Sequence, residues 1–157
     1  MEISSDIIGT RLKEYRTKVT WRQTTNFAAS VADMNPRYFD DRRPEGIIAP
    51  PVFAFALTWP IIRDIYEYME FPYSPDVLTT MVHYTEHIEF ERPVRPGDEV
   101  VVRGEVAAVL PRRSGTHVVF KFPVTGPGGR LFHTEYIGGL LRGVGCRDGG
   151  RGAENLP

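Results

Sequence analysis

Residues 47–70 read IIAPPVFAFALTWPIIRDIYEYME, a run that is apolar on nearly every side of a 3.6-residue turn and so predicts a buried helix rather than a surface one. Pro51 suits the first turn, where a missing N–H costs little, and Pro60 predicts a kink or split before Ile61 to Tyr68 continue. Such a helix needs apolar neighbours all round it. Beyond residue 79 the sequence supplies them, because the hydrophobic period changes to two. VHYTEHIEFERP (82–93), DEVVVRGEVAAVL (98–110), THVVFKFPV (116–124) and RLFHTEYIGGLL (130–141) are β-rich runs, separated by turn signals at 96–98, 113–115 and 126–129. With a short strand at 15–19, the expected fold is α+β: an antiparallel sheet of about five strands curled around the helix that begins near Pro51.

Upstream, Thr20-Trp21-Arg22-Gln23 has the form of a capping box, so a helix starts there. Phe27, Ala28, Val31 and Ala32 give it an apolar face, and Asn35-Pro36 stops it, since the residue before proline avoids the α region. Residues 1–142 are expected to form one domain. The glycine-rich segment 143–157, ending VGCRDGGRGAENLP, is expected to be a disordered tail.

Composition excludes several function classes. The 157 residues suit a single domain, and 41% hydrophobic content with nine Phe, seven Tyr and two Trp is enough for a real core. A formal charge of -1 gives no footprint for coating nucleic acid. Cys146 is the only cysteine, which excludes an internal disulfide framework and a cysteine-based zinc site. No stretch approaches the roughly 18 apolar residues of a membrane span, and the opening lacks a signal-peptide pattern, so a soluble, cytoplasmic protein with no membrane partner is expected.

Three separated motifs carry a family resemblance. NFAASVADMNPRYFDD (26–41), IIAPPVFAFAL (47–57) and FERPVRPGDEVVV (90–102), in that order, resemble the MaoC-like, hot-dog-fold enoyl-thioester hydratases and dehydratases, over a span from about Ile7 to Arg142. DIIGT (6–10), the Ala-Pro-Pro at 49–51 and YIGGLLRG (136–143) look like the N-terminal-type dehydratase half, including the A-type subunit of the mycobacterial 3-hydroxyacyl-thioester dehydratases, which pairs with a second hot-dog subunit. The family's active half has a motif of the form G-D-x-N-P-x-H, whose Asp and His, by resemblance, handle the water that adds across the 2,3-double bond of an acyl thioester. The matching residues are Ala32-Asp33-Met34-Asn35-Pro36-Arg37-Tyr38.

Two departures bear on catalysis. Asp33 and Asn35 are retained, but Tyr38 stands where the family has histidine, and a phenol titrating near about 10 is a poor base beside an imidazole near about 6.5. The general acid–base contribution at stake is roughly 100- to 10,000-fold. Again by resemblance, a backbone N–H at the start of the buried helix polarises the thioester carbonyl, whereas the stretch here is Ala49-Pro50-Pro51-Val52, and proline has no N–H. Asp33 and Asn35 also suit a plain helix stop and turn, and Tyr38 suits a packing aromatic.

Further candidates are weaker. His83 and His87 lie about 13 Å apart along one face of a regular strand, too far to share a metal ion, and His117 and His133 come from different strands. No metal or other cofactor is expected. Arginine outnumbers lysine sixteen to three, and Arg37, Arg42, Arg43, Arg92, Arg95, Arg112 and Arg113 fall in loops where a coenzyme A or carrier-protein phosphate would dock. Gly138-Gly139 inside the last strand predicts a bulge or a close approach.

The resulting expectation is a substrate-binding subunit of an enoyl-thioester hydratase or 3-hydroxyacyl-thioester dehydratase. Pro51, Val52, Phe53, Ala54, Phe55, Ala56 and Arg37 would bind the acyl thioester, with small residues alternating with large ones to leave a tunnel. Asp33, Asn35 and Tyr38 would be the degenerate catalytic positions, and the working Asp/His pair would come from a partner hot-dog chain, or the chain would form a homodimer. A self-sufficient hydratase or thioesterase using Asp33, and a non-catalytic acyl-thioester-binding protein, are the alternatives.

Overall fold

Apolar periodicity and turn chemistry place the chain's elements in the computed structural model, which describes all 157 residues. They are β1 (Glu2–Ile3), β2 (Tyr15–Lys18), α1 (Trp21–Ser30), α2 (Ala54–Arg63), α3 (Ile65–Tyr68), α4 (Pro75–Thr79), β3 (Met81–Phe90), β4 (Glu99–Val102), β5 (Glu105–Arg112), β6 (Gly115–Thr125), β7 (Leu131–Arg142) and β8 (Gly145–Cys146). The six strands β2 to β7 form one antiparallel sheet in the order β2-β4-β6-β7-β3, and β5 extends β4 along the same edge of β6. The expected single strand over 98–110 is therefore two. It breaks at Arg103-Gly104, where the Phe122 ring occupies the space a Cβ on residue 104 would need.

One face of this sheet curls around α2. Phe53, Leu57, Ile61 and Ile65 pack against Val100, Val102, Phe120, Phe122, Val124, Phe132 and Ile137, each large side chain contributing about 1.5–3 kcal/mol on burial. The helix is not covered all round, however. Val52 and Trp59 are about half exposed, since a single curved sheet reaches only one side of it. It also runs through Pro60 and breaks four residues later at Asp64 (φ -111°, ψ 38°), where the Asp64 N–H closes the last turn on the Pro60 carbonyl. Burial of Leu57, Thr58 and Ile61 on the sheet side offsets the one hydrogen bond that Pro60 forfeits.

The capping box forms as expected: Gln23 N–H donates to Thr20 Oγ1 at 3.3 Å, and Thr20 N–H donates to Gln23 Oε1 at 2.8 Å. The helix it opens ends at Ser30, earlier than Asn35-Pro36, because Ala32 turns into the left-handed region.

Residues 143–157 are ordered, contrary to the expectation of a disordered tail. β8 pairs with β1 in parallel, and Asp148 accepts from Ser4 Oγ (3.0 Å), Ser5 N–H (3.0 Å) and Ser5 Oγ (2.7 Å). The segment then crosses the outer face of the sheet, bridging Val109 through Arg151 and laying Leu156 against Ala108, Val119 and Tyr136. Its glycines permit this approach: Gly150 and Gly152 have φ of +77° and +92°, and a Cβ on either would collide with the β5 backbone. A composition that reads as disorder is here the condition for close packing. No helix is long and apolar enough to cross a membrane.

Candidate functional site

The motif loop leaves α1 through Ala32, the one non-glycine residue with positive φ (+55°). Asp33 N–H returns to the Ala28 carbonyl at 3.0 Å, Asp33 Oδ1 accepts Asn35 N–H at 3.2 Å, and Asn35 Oδ1 accepts Arg37 N–H at 3.1 Å. This chain of side-chain caps shapes a 3-10 turn over Pro36–Tyr38. Asp33, Asn35 and Arg37 are exposed, whereas Tyr38 is buried against Ala28 and Ile48. The motif's carboxylate and its aromatic therefore point to different environments.

The residues expected to bind substrate divide among three concavities. Pro51, Phe53 and Ala54 line a cavity of about 350 Å³ with Ile48, Ala49, Phe90, Arg92 and His133. Phe55 joins Trp59, Ile62, Met81, His83, Phe120, Ile137, Gly138 and Gly139 around an apolar cavity of about 440 Å³. Ala56 faces a third groove beside Phe27 and Tyr15, shared with Phe53. Val52 lines none of these three. The alternation of small and large residues thus puts Ala54 and Ala56 on different sides of α2, and no single tunnel runs beside both.

The sheet brings polar groups under α2 that sequence reading missed. His133, Glu135 and Ile137 alternate along the helix-facing side of β7, and both His133 and Glu135 are fully buried. Neither Glu135 carboxyl oxygen has a hydrogen-bond partner, nor has His133 Nε2. Burial, reinforced by Glu86 on the neighbouring strand, pushes the Glu135 carboxyl up to about 9, and burial pulls His133 down to about 4. Both side chains are therefore neutral at neutral pH. The signal available in the sequence was their parity with Ile137.

The glycine pair behaves as its position predicts. Gly138 lies under a hydrogen bond that crosses β7 from His117 Nε2 on β6 to Thr85 Oγ1 on β3 (3.0 Å), and Gly139 faces the Met81 side chain. A register shift between His83 and Thr85 puts His83 on the helix side, stacked on Phe55, and His87 on the other side, against Tyr136. The two histidines are therefore not on one face. His117 and His133 pair with opposite ends of β7 and β6 and do not meet.

Most of the candidate arginines are already engaged. Arg42 pairs with Asp40, Arg43 with Glu45, and Arg95 donates to the Glu45 carbonyl. Arg92 lines the 350 Å³ cavity while its Nε donates to the Leu131 carbonyl at 2.8 Å.

Comparison with known proteins matches residues 6–125 to the family described as FAS1-like, dehydratase domain region. The UPF0336 protein SCO4636 of Streptomyces coelicolor is 31% identical over 88 residues, 53% of this chain and 57% of that protein, so the match spans little more than half of that relative. Among solved structures, the C-terminally truncated HadBC (3R-hydroxyacyl-ACP dehydratase) complex of Mycobacterium tuberculosis superposes with a TM-score of 0.74 at 21% identity, covering 88% of this chain and 99% of that one. The MaoC-like dehydratase of Phytophthora capsici gives 0.75 at 17% identity, covering 96% of this chain but 52% of that one.

Proposed function

Because the chain belongs to the FAS1-like dehydratase-region family and has the hot-dog fold of MaoC-like dehydratases, we propose that it is the acyl-binding subunit of a hydro-lyase acting on enoyl or 3-hydroxyacyl thioesters. A second hot-dog chain supplies the Asp/His pair. The observation that carries this reading is the separation of the motif's own residues: Tyr38 is spent in the core, and Asp33 caps its own turn at the surface. An exposed carboxylate and a phenol buried against Ala28 and Ile48 do not share an environment, which supports drawing the acid–base contribution of roughly 100- to 10,000-fold from a partner chain.

The free edge of the sheet supports a partner. β3 has a neighbour on one side only, and Val82, Tyr84 and Phe90 are exposed along it. An unpaired apolar edge of this length invites pairing. The HadBC relative is a complex, and this chain covers about half of the Phytophthora protein, which leaves room there for a second unit of similar size.

The test is turnover of short and long trans-2-enoyl thioesters, following hydration and thiol release separately. Hydration is expected only when this chain is mixed with a hot-dog chain that has an intact Asp-x-Asn-Pro-x-His motif. In that complex Asp33→Asn is expected to leave kcat/KM within a few-fold, because the amide keeps the turn's hydrogen bond. Hydration by the chain alone, abolished by Asp33→Asn, would replace this reading with a self-sufficient enzyme.

A further inference from the structure

α2, β3, β6 and β7 enclose a cavity that shares no lining residue with the one beside Pro51. Its volume of about 440 Å³ lies within the range of about 300–1,000 Å³ typical of small-molecule sites. Phe55, Trp59, Ile62, Met81, Phe120 and Ile137 make its walls apolar, and Gly138 and Gly139 add no side chain to fill it. His83 is the only polar side chain of the lining. A molecule that enters therefore exchanges water for hydrocarbon everywhere except at one imidazole.

The proton on that imidazole is placed by its own strand. His83 Nε2 lies 3.2 Å from the Thr85 carbonyl oxygen and 3.2 Å from Glu86 Oε2. A carbonyl oxygen can only accept, so Nε2 carries the N–H, and in the neutral ring Nδ1 keeps its lone pair. These contacts engage Nε2 and leave Nδ1 without a partner in the chain. The side chain is 55% exposed, so the ring is open to a ligand. It is nonetheless held in place. One face stacks on Phe55 with centroids 6.2 Å apart and 25° between planes, and Phe55 in turn meets Trp59 at 5.4 Å. A freely solvated surface histidine has neither restraint.

We propose that this cavity binds an apolar molecule carrying a single hydroxyl, whose O–H donates to His83 Nδ1 while its hydrocarbon lies between Trp59 and Ile137. An apolar wall with one acceptor selects by polarity. It satisfies a hydroxyl, gains no hydrogen bond from an ether, and offers no hydrogen-bond donor to a carboxylate.

Trp59, on the cavity wall, reports occupancy. Trp21, the other tryptophan, is exposed at the start of α1 and is removed by Trp21→Phe. In that parent protein the emission of Trp59 is titrated with octanol, with its isomer heptyl methyl ether, which has no O–H, and with octanoate. The pH is mildly alkaline, where an ordinary imidazole is neutral. Octanol is expected to bind about three- to tenfold more tightly than the ether, the effect of one neutral hydrogen bond, and more tightly than octanoate. In His83→Phe, octanol and the ether are expected to bind alike. His83→Gln keeps an acceptor and should recover part of the preference; it also serves if the phenylalanine variant does not fold. Absence of saturable octanol binding, equal affinities in the parent, a preference that persists in His83→Phe, or tighter binding of octanoate would overturn the proposal. Loss of octanol binding on adding the hot-dog partner chain would overturn it as well, since a partner side chain would then be the occupant. Displacement of octanol by 3-hydroxyoctanoyl-coenzyme A would support the site and identify the hydroxyl as that of a thioester substrate. Octanol binding that this thioester does not compete with would support a site for a free alcohol. Neither outcome depends on the hydro-lyase reading, which turnover tests separately.

Discussion

Ala32 occupies the left-handed region at φ +55°, where its Cβ crowds the following carbonyl at a cost of about 1–2 kcal/mol. The motif that this stretch resembles has glycine at that position. Ala32→Gly is therefore expected to raise stability by about 1 kcal/mol, a rise of about 2–4 °C in Tm for a domain of this size, without changing ligand binding. Calorimetry of the two proteins checks it, and an unchanged or lower Tm would show that the surrounding loop gains nothing from release of strain. The identities of Asp33, Asn35 and Tyr38 were legible in the sequence, but their orientation was not. Which of them faces solvent depends on where α1 docks against Ile48, a contact between segments that no local pattern records. His133 was invisible as a cavity residue for the same reason, since residues 48–54 and 90–94 close around it only in the fold.

Elements show which rules of sequence reading hold under tertiary contact. The capping box, the split period and the glycine pair were legible because each acts within a few residues or along one strand. The β4/β5 break was not, because its cause is the Phe122 ring arriving from β6 against Gly104. Gly138 and Gly139 allow a sharp test at this scale. A methyl group at Gly138 would drive apart buried His117 and exposed Thr85 and break their hydrogen bond, whereas one at Gly139 meets only the flexible Met81 side chain. Gly138→Ala is expected to cost about 1–3 kcal/mol, and Gly139→Ala less than about 1 kcal/mol, measured by denaturant unfolding. On α2, Ala54 is buried at the cavity while Ala56 is half-buried at a separate groove. Ala54→Leu should discriminate against long acyl chains, at about 0.8 kcal/mol per displaced methylene, and Ala56→Leu should not. Equal chain-length profiles for both variants would mean that the acyl group lies elsewhere.

The whole molecule registers its buried polar pair as a dependence of stability on pH. Glu135 titrates near 9 in the fold and near its ordinary value when unfolded, so between those values the folded chain binds the extra proton and stability falls as pH rises. His133, pulled down to about 4, acts in the opposite sense, and stability rises as pH climbs from there to about 6.5, where the unfolded imidazole is no longer protonated. Above about 6.5 only the carboxyl remains. Tm of the wild type should therefore decline from pH 6.5 to 9, and Glu135→Gln should flatten that decline; a parallel slope in the variant would place the titrating group elsewhere. At this scale the sheet-and-helix architecture was legible from the change of period, while the ordering of residues 143–157 was not, because it depends on hydrogen bonds between residues 144 apart, such as Ser4 to Asp148. That clasp has a kinetic meaning. Contacts of such sequence separation form late on average, so Ser4, Ser5 and Asp148 are expected to meet after the rate-limiting step of folding rather than before it. Asp148→Asn should then leave the refolding limb of a chevron plot nearly untouched and steepen the loss of protein through faster unfolding, making the clasp a governor of native-state lifetime more than of assembly speed.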